Sequence, residues 1–265
     1  MAFSPFVPLR VFSSYTMLEG AIEPKAIAKA ARDRGFPAIA ICDRNGLYGA
    51  MAFGDACKAA GVQPVVGALL SIARPGQRMA NGAPLIDWLA LYAQDETGYG
   101  NLCALVSAAP LGRPVEQDPH VTLSDLAGKT DGLICLTGGG EGALARLLAG
   151  EQATAANDYV EQLEALFAGR LYIELARRND ATEMAAEKAL IDMAYARALP
   201  LVATNPASFV EPQFHPAHDA MLCIAQSAYV ESEDRRVSSP EAWLKPAEAM
   251  EDAFSDLPEA MRFAS

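Results

Sequence analysis

Residues 23–46 read EPKAIAKAARDRGFPAIAICDRNG and contain the two patterns that decide the fold. Pro24 predicts the start of a helix, because proline in a first turn loses no hydrogen bond. Gly35 predicts where that helix stops. The uninterrupted apolar run at 37–42 then predicts a strand that is buried on both faces. A helix joined to such a strand is typical of an α/β fold.

The same alternation continues on both sides of this stretch. We predict a first strand at residues 6–11, and the later ones at 63–72, 86–92, 132–136, 171–175 and 201–204. Predicted helices follow most of them, at 48–60, 101–108, 143–149, 153–167, 182–198 and 216–225. About seven strands in such a succession form either an open sheet or a closed barrel. In a barrel, polar residues that end the strands, such as Asp43 and Arg44, mark the active face.

The composition limits the possible kinds of site. The 265 residues carry a net charge of −12, which argues against a domain that binds nucleic acid on its own. Only three His are present, which limits any site built on many imidazoles. The five Cys form no C-x-x-C pair and are expected to be reduced. The N-terminus lacks a signal-peptide pattern, and no apolar run could span a membrane, so we predict a cytoplasmic protein.

Several short motifs have both a functional and a structural interpretation. The glycines at 138–140 could cradle a phosphate, but their spacing favours a tight turn. His215 and His218 could lie one helical turn apart, yet two ligands are too few for a metal, which favours capping or packing. His120 and the SEDRR stretch at 232–236 are expected to be solvated. For Asp43 both roles stay open, because a carboxylate after a buried strand can act in catalysis or cap a turn.

Two stretches resemble a known family in detail. Residues 8–21, PLRVFSSYTMLEGA, resemble the opening of the PHP (polymerase and histidinol phosphatase) domain of bacterial DNA polymerase III alpha subunits, L-H-x-H-S-x-Y-S-x-L-D/E-G-A. Residues 38–49, AIAICDRNGLYG, are similar to the family's A-x-A-x-T-D-x-x-x-x-x-G. Further similar stretches follow in the family's order, at 61–67, 95–102, 131–136, 200–205, 217–224, 243–246 and 257–260.

The resemblance implies a fold and an activity. The family fold is a distorted (β/α)7 barrel, a TIM-like arrangement. Active members hold about three metals with His, Asp, Glu and Cys side chains at the strand C-termini. Such a site supports phosphoester hydrolysis through metal-activated water, and in some polymerases it is a 3′→5′ proofreading exonuclease.

This sequence departs from the family at the implied ligand positions. Only Glu19 and Asp43 keep a carboxylate there. The other positions carry side chains that are mostly unable to bind a divalent cation: Arg10, Phe12, Arg44, Leu69, Trp88, Gly139, Pro206 and Ser208. We therefore predict a vestigial cleft with no catalytic residue retained and no metal. The absence of imidazole ligands at these positions and the low count of His in the composition are the same fact.

Buried charges must be compensated once metals are lost. Our hypothesis is that Arg10 and Arg44 pair with Glu19 and Asp43. The large apolar side chains at the former ligand positions would then fill the cleft: Phe12, Leu69 and Trp88.

The resemblance implies the N-terminal PHP domain of a replicative DNA polymerase, with residues 1–230 as the barrel and 231–265 as a truncated helical segment leading toward the polymerase core. The fragment would be a structural and protein-docking module. Its partners would be the rest of the alpha chain and the proofreading exonuclease subunit of the bacterial replisome, with little direct DNA binding. DNA-directed DNA polymerase activity, a nucleotidyl transfer that uses Mg, would belong to the downstream core. The fragment itself would carry no cofactor.

Three alternatives stay open at this point. The first is an active metal-dependent PHP phosphoesterase or 3′→5′ exonuclease, which needs the ligands that are missing. The second is a TIM-like enzyme that uses Asp43 and His218 as acid and base. The third, compatible with a degenerate domain, is an anion such as phosphate or pyrophosphate bound by Arg10 and Arg44.

Overall fold

The computed structural model describes residues 6–114 and 116–262. In this part of the chain six strands alternate with helices, which confirms the α/β class. The strands are β1 (Ala38–Arg44), β2 (Gln63–Arg78), β3 (Pro84–Ala93), β4 (Leu133–Leu136), β5 (Leu171–Ala176) and β6 (Leu201–Thr204). The helices are α1 (Pro24–Asp33), α2 (Ala50–Ala60), α3 (Glu96–Leu111), α4 (Leu123–Leu126), α5 (Ala143–Ala149), α6 (Ala153–Leu166), α7 (Ala181–Arg197), α8 (His215–Gln226), α9 (Ala247–Ala253) and α10 (Pro258–Arg262).

The strands form one sheet in the order β1-β2-β3-β4-β5-β6. β3 is antiparallel to both β2 and β4, whereas β4 and β5 are parallel. The reversal at β3 follows from its connection: only five residues separate the end of β2 at Arg78 from Pro84. A link this short allows a hairpin but not a crossover helix.

The first predicted strand, residues 6–11, is wrong as a regular strand. The segment is extended, but Val11 and Ser13 form only isolated parallel bridges, to Ala207 and Ile22. The carbonyls of Pro8 and Val11 accept hydrogen bonds from the backbone of β1, at Ala40 and Cys42. On its other side the segment exchanges two backbone hydrogen bonds with Ala207, after β6. Pro8 has no N–H to donate, which interrupts a continuous ladder.

The stretch that opened the sequence analysis folds as predicted. α1 begins at Pro24 with Glu23 as its N-cap, and Gly35 follows it with φ of 71°. The middle of β1 is buried without interruption. α3 is longer than predicted because it starts at Glu96, where the side chain of Asp95 accepts a hydrogen bond from the backbone N–H of Gly98.

The expectation that His120 is solvated is wrong. This residue is buried, and its Nδ1 lies 2.8 Å from the carbonyl oxygen of Asp118. The next residue, Val121, exchanges backbone hydrogen bonds with Ser71 and Ala73 of β2. The end of the polar loop therefore pairs with the sheet and carries the imidazole inward.

The chain separates into two compact units. Unit 1 consists of the described parts of Met1–Val65, Ala176–Asp180 and Ala203–Ser265, and unit 2 of Val66–Leu175 and Ala181–Val202. Each has its own buried apolar side chains. In unit 1 they include Val11, Phe12, Ile27, Ile39, Phe53 and Phe209, and in unit 2 Leu69, Leu91, Leu105, Leu133 and Phe167. Within the described residues, no helix is long and apolar enough to cross a lipid bilayer.

Candidate functional site

Seven of the ten predicted site residues lie in unit 1. Asp43 and Arg44 end β1, Arg10 and Phe12 lie on the extended segment beside it, and Glu19 lies in the loop that follows. Pro206 and Ser208 flank Ala207, the residue that bonds the same extended segment. The fold thus brings residues from three distant parts of the sequence to the C-terminal end of β1.

Asp43 is a buried hydrogen-bond acceptor. Its carboxylate accepts bonds from the backbone N–H of Ser13 at 2.7 Å, the Ser13 hydroxyl at 2.6 Å and the Thr16 hydroxyl at 2.7 Å. Burial raises the pKa of Asp43 above its ordinary value, although these hydrogen bonds oppose the shift. The predicted pairing of Asp43 with an arginine is wrong, because hydroxyl and amide donors take that place. Asp43 therefore fastens residues 13–16 to β1, a capping role.

Glu19 forms the predicted pair with Arg44. Its two carboxylate oxygens accept bonds from Nε and Nη2 of Arg44 at 2.6 and 2.7 Å. Such a two-point contact is the strongest geometry for an arginine–carboxylate pair. Arg236 adds a third bond at 2.5 Å from the opposite end of the chain. Burial raises the pKa of Glu19, but the two guanidinium groups outweigh it and hold that pKa below the ordinary value.

Sequence reasoning missed Arg236, which belongs to the SEDRR stretch expected to be solvated. Its side chain is 50% exposed, so the expectation is half right, but its Nη2 lies on Glu19. The two residues are 217 positions apart, and nothing local in the sequence signals the contact. Arg235 is also paired, in a two-point contact with Asp219 at 2.8 and 2.9 Å. That contact lowers the pKa of Asp219 to about 2.

Arg10 and Phe12, which we predicted to replace the first two imidazoles of the family pattern, are both buried. The Phe12 ring centroid lies 5.9 Å from the guanidinium carbon of Arg10 and 5.1 Å from that of Arg44. An aromatic face at this distance attracts a cation. Phe12 is thus buried and faces both arginines.

His218 contributes to the same cluster from α8. Its Nε2 lies 2.7 Å from the backbone carbonyl of Glu19, so this nitrogen donates, and its Nδ1 lies 2.6 Å from the hydroxyl oxygen of Ser238. Burial lowers the pKa of His218, and the ring packs 5.0 Å from the ring of Phe209. The predicted packing role is confirmed. The side chain and its neighbour Asp219 also hold the segment around Ser238, whose N–H donates to Asp219 at 2.8 Å.

The other three predicted site residues lie in unit 2. Leu69 of β2 pairs with Ala90 and is fully buried, while Trp88 of β3 pairs with Ser71. Gly139 lies in a short 3-10 turn after β4. Gly138 before it has φ of 88°, and a Cβ added there would lie 2.0 Å from the carbonyl oxygen of Trp88. The tight-turn interpretation of the three glycines is confirmed.

Unit 2 also contains a buried carboxylate that sequence reasoning missed. Glu174 of β5 is fully buried, and its Oε2 accepts a hydrogen bond from the backbone N–H of Gly138 at 2.9 Å. Its own N–H donates to the hydroxyl of Thr137. The acidic residue in an apolar strand was the available signal, since a buried carboxylate requires a donor. Glu174 stabilises the turn that carries Gly139.

A metal does not fit the donor set described above. Glu19 already accepts from two guanidinium groups, and Asp43 is committed to Ser13 and Thr16. Guanidinium, phenyl, leucyl and indole groups donate no electron pair to a divalent cation. In residues 6–114 and 116–262 no group of three or more His, Cys, Asp or Glu side chains could hold a metal ion.

Comparison with protein families and curated proteins gives consistent matches. The family model described as the PHP domain matches residues 8–178. DNA polymerase III subunit alpha of Caulobacter vibrioides is 40% identical over 260 residues, which cover 96% of this chain and 22% of that protein. The same subunit of Escherichia coli K12 is 33% identical over 97% of this chain and 22% of its own length. The chain thus spans about a fifth of the length of these relatives.

Two solved structures are similar in fold. A protein from Bifidobacterium adolescentis, proposed to be a metal-dependent phosphoesterase, has a TM-score of 0.52 at 13% identity, over 76% of this chain and 86% of its own. An amidohydrolase from Chromobacterium violaceum, solved with bound sulfate and no metal, has a TM-score of 0.53 at 13% identity, over 75% and 86%. At this identity the likeness concerns the fold alone, and it agrees with the predicted distorted TIM-like barrel.

Proposed function

This chain belongs to the PHP domain family, and on that premise we propose that it is the N-terminal domain of a bacterial DNA polymerase III alpha subunit with a degenerate PHP site. The observation that carries the proposal is the pair of guanidinium groups, Arg44 and Arg236, on the carboxylate of Glu19. These groups supply fixed positive charge at a position where the family pattern places metal ligands. The domain would then act through its surface and its stability.

If the domain has lost its metals as we propose, Glu19 and its two arginines explain how the fold would tolerate that loss. A buried carboxylate without a cation is costly, and a well-formed arginine pair offsets that cost only with good geometry. The two-point contact with Arg44 meets this requirement, and His218 binds the backbone of the same residue. The cluster therefore holds the loop around Glu19 in place through contacts between side chains and backbone of the same chain.

We further propose the exonuclease subunit as a docking partner and the remaining alpha chain as the site of polymerisation. The curated relatives support the second part of this proposal, because they are alpha subunits about five times longer than this chain. DNA-directed polymerase activity, with its Mg, would reside in that remaining length. The net charge of −12 supports a domain that contacts protein more readily than DNA.

The degenerate site is tested by elemental analysis and a hydrolysis assay. Protein purified without chelator should contain Zn, Mn and Fe far below one ion per chain. With added manganese it should not hydrolyse bis-p-nitrophenyl phosphate or a 3′-recessed DNA above the rate of an Asp43→Asn control. Near-stoichiometric metal, or hydrolysis that Asp43→Asn abolishes, would show instead an active phosphoesterase or exonuclease.

A further inference from the structure

Unit 2 contains a small cavity beside a buried ion pair that the candidate site does not include. The cavity has a volume of about 240 Å³, and its walls come from the end of β2 and from α5 and α6. The side chains around it include Arg74, Gln77, Leu147, Ala155, Tyr159 and Gln162. Drug-sized pockets measure roughly 300–1,000 Å³, so this cavity suits only a small ligand.

The ion pair at the cavity is positive overall. Arg74 donates to both carboxylate oxygens of Asp87, from Nε at 2.7 Å and from Nη2 at 2.8 Å. Arg146 donates to the same carboxylate at 2.9 Å. The side chains of Arg74 and Asp87 are only 10% and 1% exposed. Two guanidinium groups therefore share one buried carboxylate, which leaves a local positive charge on an acidic chain.

Arg74 keeps hydrogen-bonding capacity beyond this pair. A guanidinium group has five N–H donors. Two of them bind Asp87, and a third, on Nη1, donates to the side-chain oxygen of Gln77 at 3.1 Å. The remaining two N–H groups have no partner among the residues that the structure describes. Because Arg74 lines the cavity, a ligand in the cavity can accept hydrogen bonds from them.

Tyr159 is the second buried polar side chain at the cavity. It is 2% exposed, and its hydroxyl has no hydrogen-bond partner in the described part of the chain. Phenylalanine would fill the same space without the cost of burying an unpaired hydroxyl. Burial, and then the neighbouring Cys135 and Asp87, raise the pKa of Tyr159 well above its ordinary value. The hydroxyl therefore stays protonated and can donate.

The balance of donors and acceptors at the cavity determines the class of ligand. Arg74 and Tyr159 offer N–H and O–H groups, whereas the carboxylate of Asp87 is already engaged by two guanidinium groups. Asp158 also borders the cavity, but it is exposed, so water and salt screen its charge. An oxyanion accepts several hydrogen bonds at once and forms its strongest ones with guanidinium groups.

The cavity is separate from the vestigial positions of unit 2. Successive residues of a strand point to opposite faces of the sheet, so Asp87 and Trp88 lie on opposite faces of β3. Trp88 pairs with Ser71, and Leu69 lies two residues before Ser71 on the same face of β2. Leu69 and Trp88 therefore share one face of the hairpin, and the ion pair of Asp87 belongs to the other.

We propose that this cavity binds a small oxyanion, carried by a phosphate or a carboxylate group, through the guanidinium group of Arg74 and the hydroxyl of Tyr159. The anion supplies the partner that the Tyr159 hydroxyl lacks, and it balances the local positive charge. Leu147 and Ala155 contact a short apolar remainder of the ligand. This site is independent of the degenerate cleft and of the function proposed above.

The test measures hydrogen exchange by mass spectrometry in the full-length protein that contains this chain. Inorganic phosphate, thymidine 5′-monophosphate and succinate are added separately, with sodium chloride of equal ionic strength as the reference. A bound anion should slow exchange in residues 74–78 and 153–166, and the effect should saturate with concentration. Protection by the two phosphates alone identifies a phosphate site, and protection by succinate alone identifies a carboxylate site.

Two substitutions examine the proposed contacts. Tyr159→Phe should raise the dissociation constant of the protecting anion roughly tenfold or more, because it removes a donor to a charged group. Its melting temperature without anion should equal or exceed that of the unaltered protein. Ala155→Leu should abolish the protection by filling the cavity. Tyr229→Phe is the matched control, since Tyr229 is 79% exposed and lies in unit 1, and it should change the affinity less than about twofold.

Three results would overturn the proposal. The first is that none of the three anions protects these residues beyond the sodium chloride reference. The second is that thymidine protects as well as its monophosphate, which would show that the oxyanion is not recognised. The third is that Tyr159→Phe, with an unchanged or higher melting temperature, binds the anion as tightly as the unaltered protein.

Discussion

Glu19 and Asp43, the two carboxylates predicted to remain from the family's ligand pattern, have opposite pKa shifts at similar burial. Burial raises the pKa of both residues, but only Glu19 faces guanidinium groups, and their charge reverses the shift of its pKa. Hydrogen bonds from hydroxyl and amide donors lower the pKa of Asp43, but they do not reverse the upward shift that burial causes. The partner's charge, and not the depth of burial, decides the protonation behaviour of each residue.

Glu19→Gln should lower the free energy of unfolding by about 2–4 kcal/mol at pH 7, because it leaves the largely buried Arg44 side chain, which is 15% exposed, beside a neutral amide. The folded pKa of Glu19 lies below its ordinary value of 4.5, so its stabilisation is present above that value and is lost as the pH falls through the folded pKa. Urea unfolding from pH 7 to pH 3 should show the difference from the unaltered protein shrinking below about pH 4.5.

Glu23→Gln serves as the matched control for this measurement. Glu23 is exposed and its side chain makes no cap hydrogen bond, so the change should stay within about 0.5 kcal/mol. An equal effect of both substitutions, or a difference that does not depend on pH, would contradict a stabilising Arg44–Glu19–Arg236 cluster.

The charged residues expected near the end of β1 could be picked out from the sequence, but only some of their hydrogen-bond partners could be predicted. The Arg44–Glu19 pair followed from the need to compensate a buried charge. The donors to Asp43 could not be foreseen, since Ser13 and Thr16 are ordinary small polar residues until the loop folds. Arg236 lies too far along the chain for any local pattern to connect it with Glu19.

At the scale of elements, helices and buried strands were predictable where periodicity and glycine or proline signals coincide, as at α1 and β1. The segment before β1 was not, because Pro8 and single bridges give an extended chain without a regular ladder. The turn after β4 was predictable only in part. Its glycines predicted a tight turn, whereas the backbone contact that requires Gly138 appears only in three dimensions.

Gly138→Ala should destabilise the protein by at least about 2 kcal/mol, since alanine is strained at φ of 88° and its Cβ would meet the carbonyl oxygen of Trp88. Gly100→Ala in α3 should instead stabilise by about 0.5–1 kcal/mol, because a helical glycine with open space gains from a methyl group. Urea denaturation of both variants measures the contrast, and an unaffected Gly138→Ala protein would refute the close approach.

For the molecule as a whole, the composition gives the net charge but not how the positive groups are placed. A net charge of −12 describes a chain that repels a phosphate backbone on average. The exceptions are local, such as Arg44 and Arg236, and these are engaged with Glu19.

The chain should bind DNA weakly. Fluorescence anisotropy with a labelled single strand at about 150 mM salt should give a dissociation constant no tighter than about 10⁻⁴ M, within the range of non-specific contacts. Acidic chains release few counterions, so the affinity should change little with salt. Submicromolar binding with a steep dependence on salt would contradict the assignment of this domain to protein contacts.

The long interval between Glu19 and Arg236 has a consequence during synthesis on the ribosome. At roughly 5–20 residues per second, Arg236 follows Glu19 after about 10–40 s, whereas Arg44 follows within a few seconds. Unit 1 includes residues made before and after unit 2, because it combines Met1–Val65 with Ala203–Ser265, while unit 2 ends at Val202. The nascent chain therefore carries an unfinished unit 1, with Glu19 neutralised by Arg44 alone, until translation of this region is nearly over.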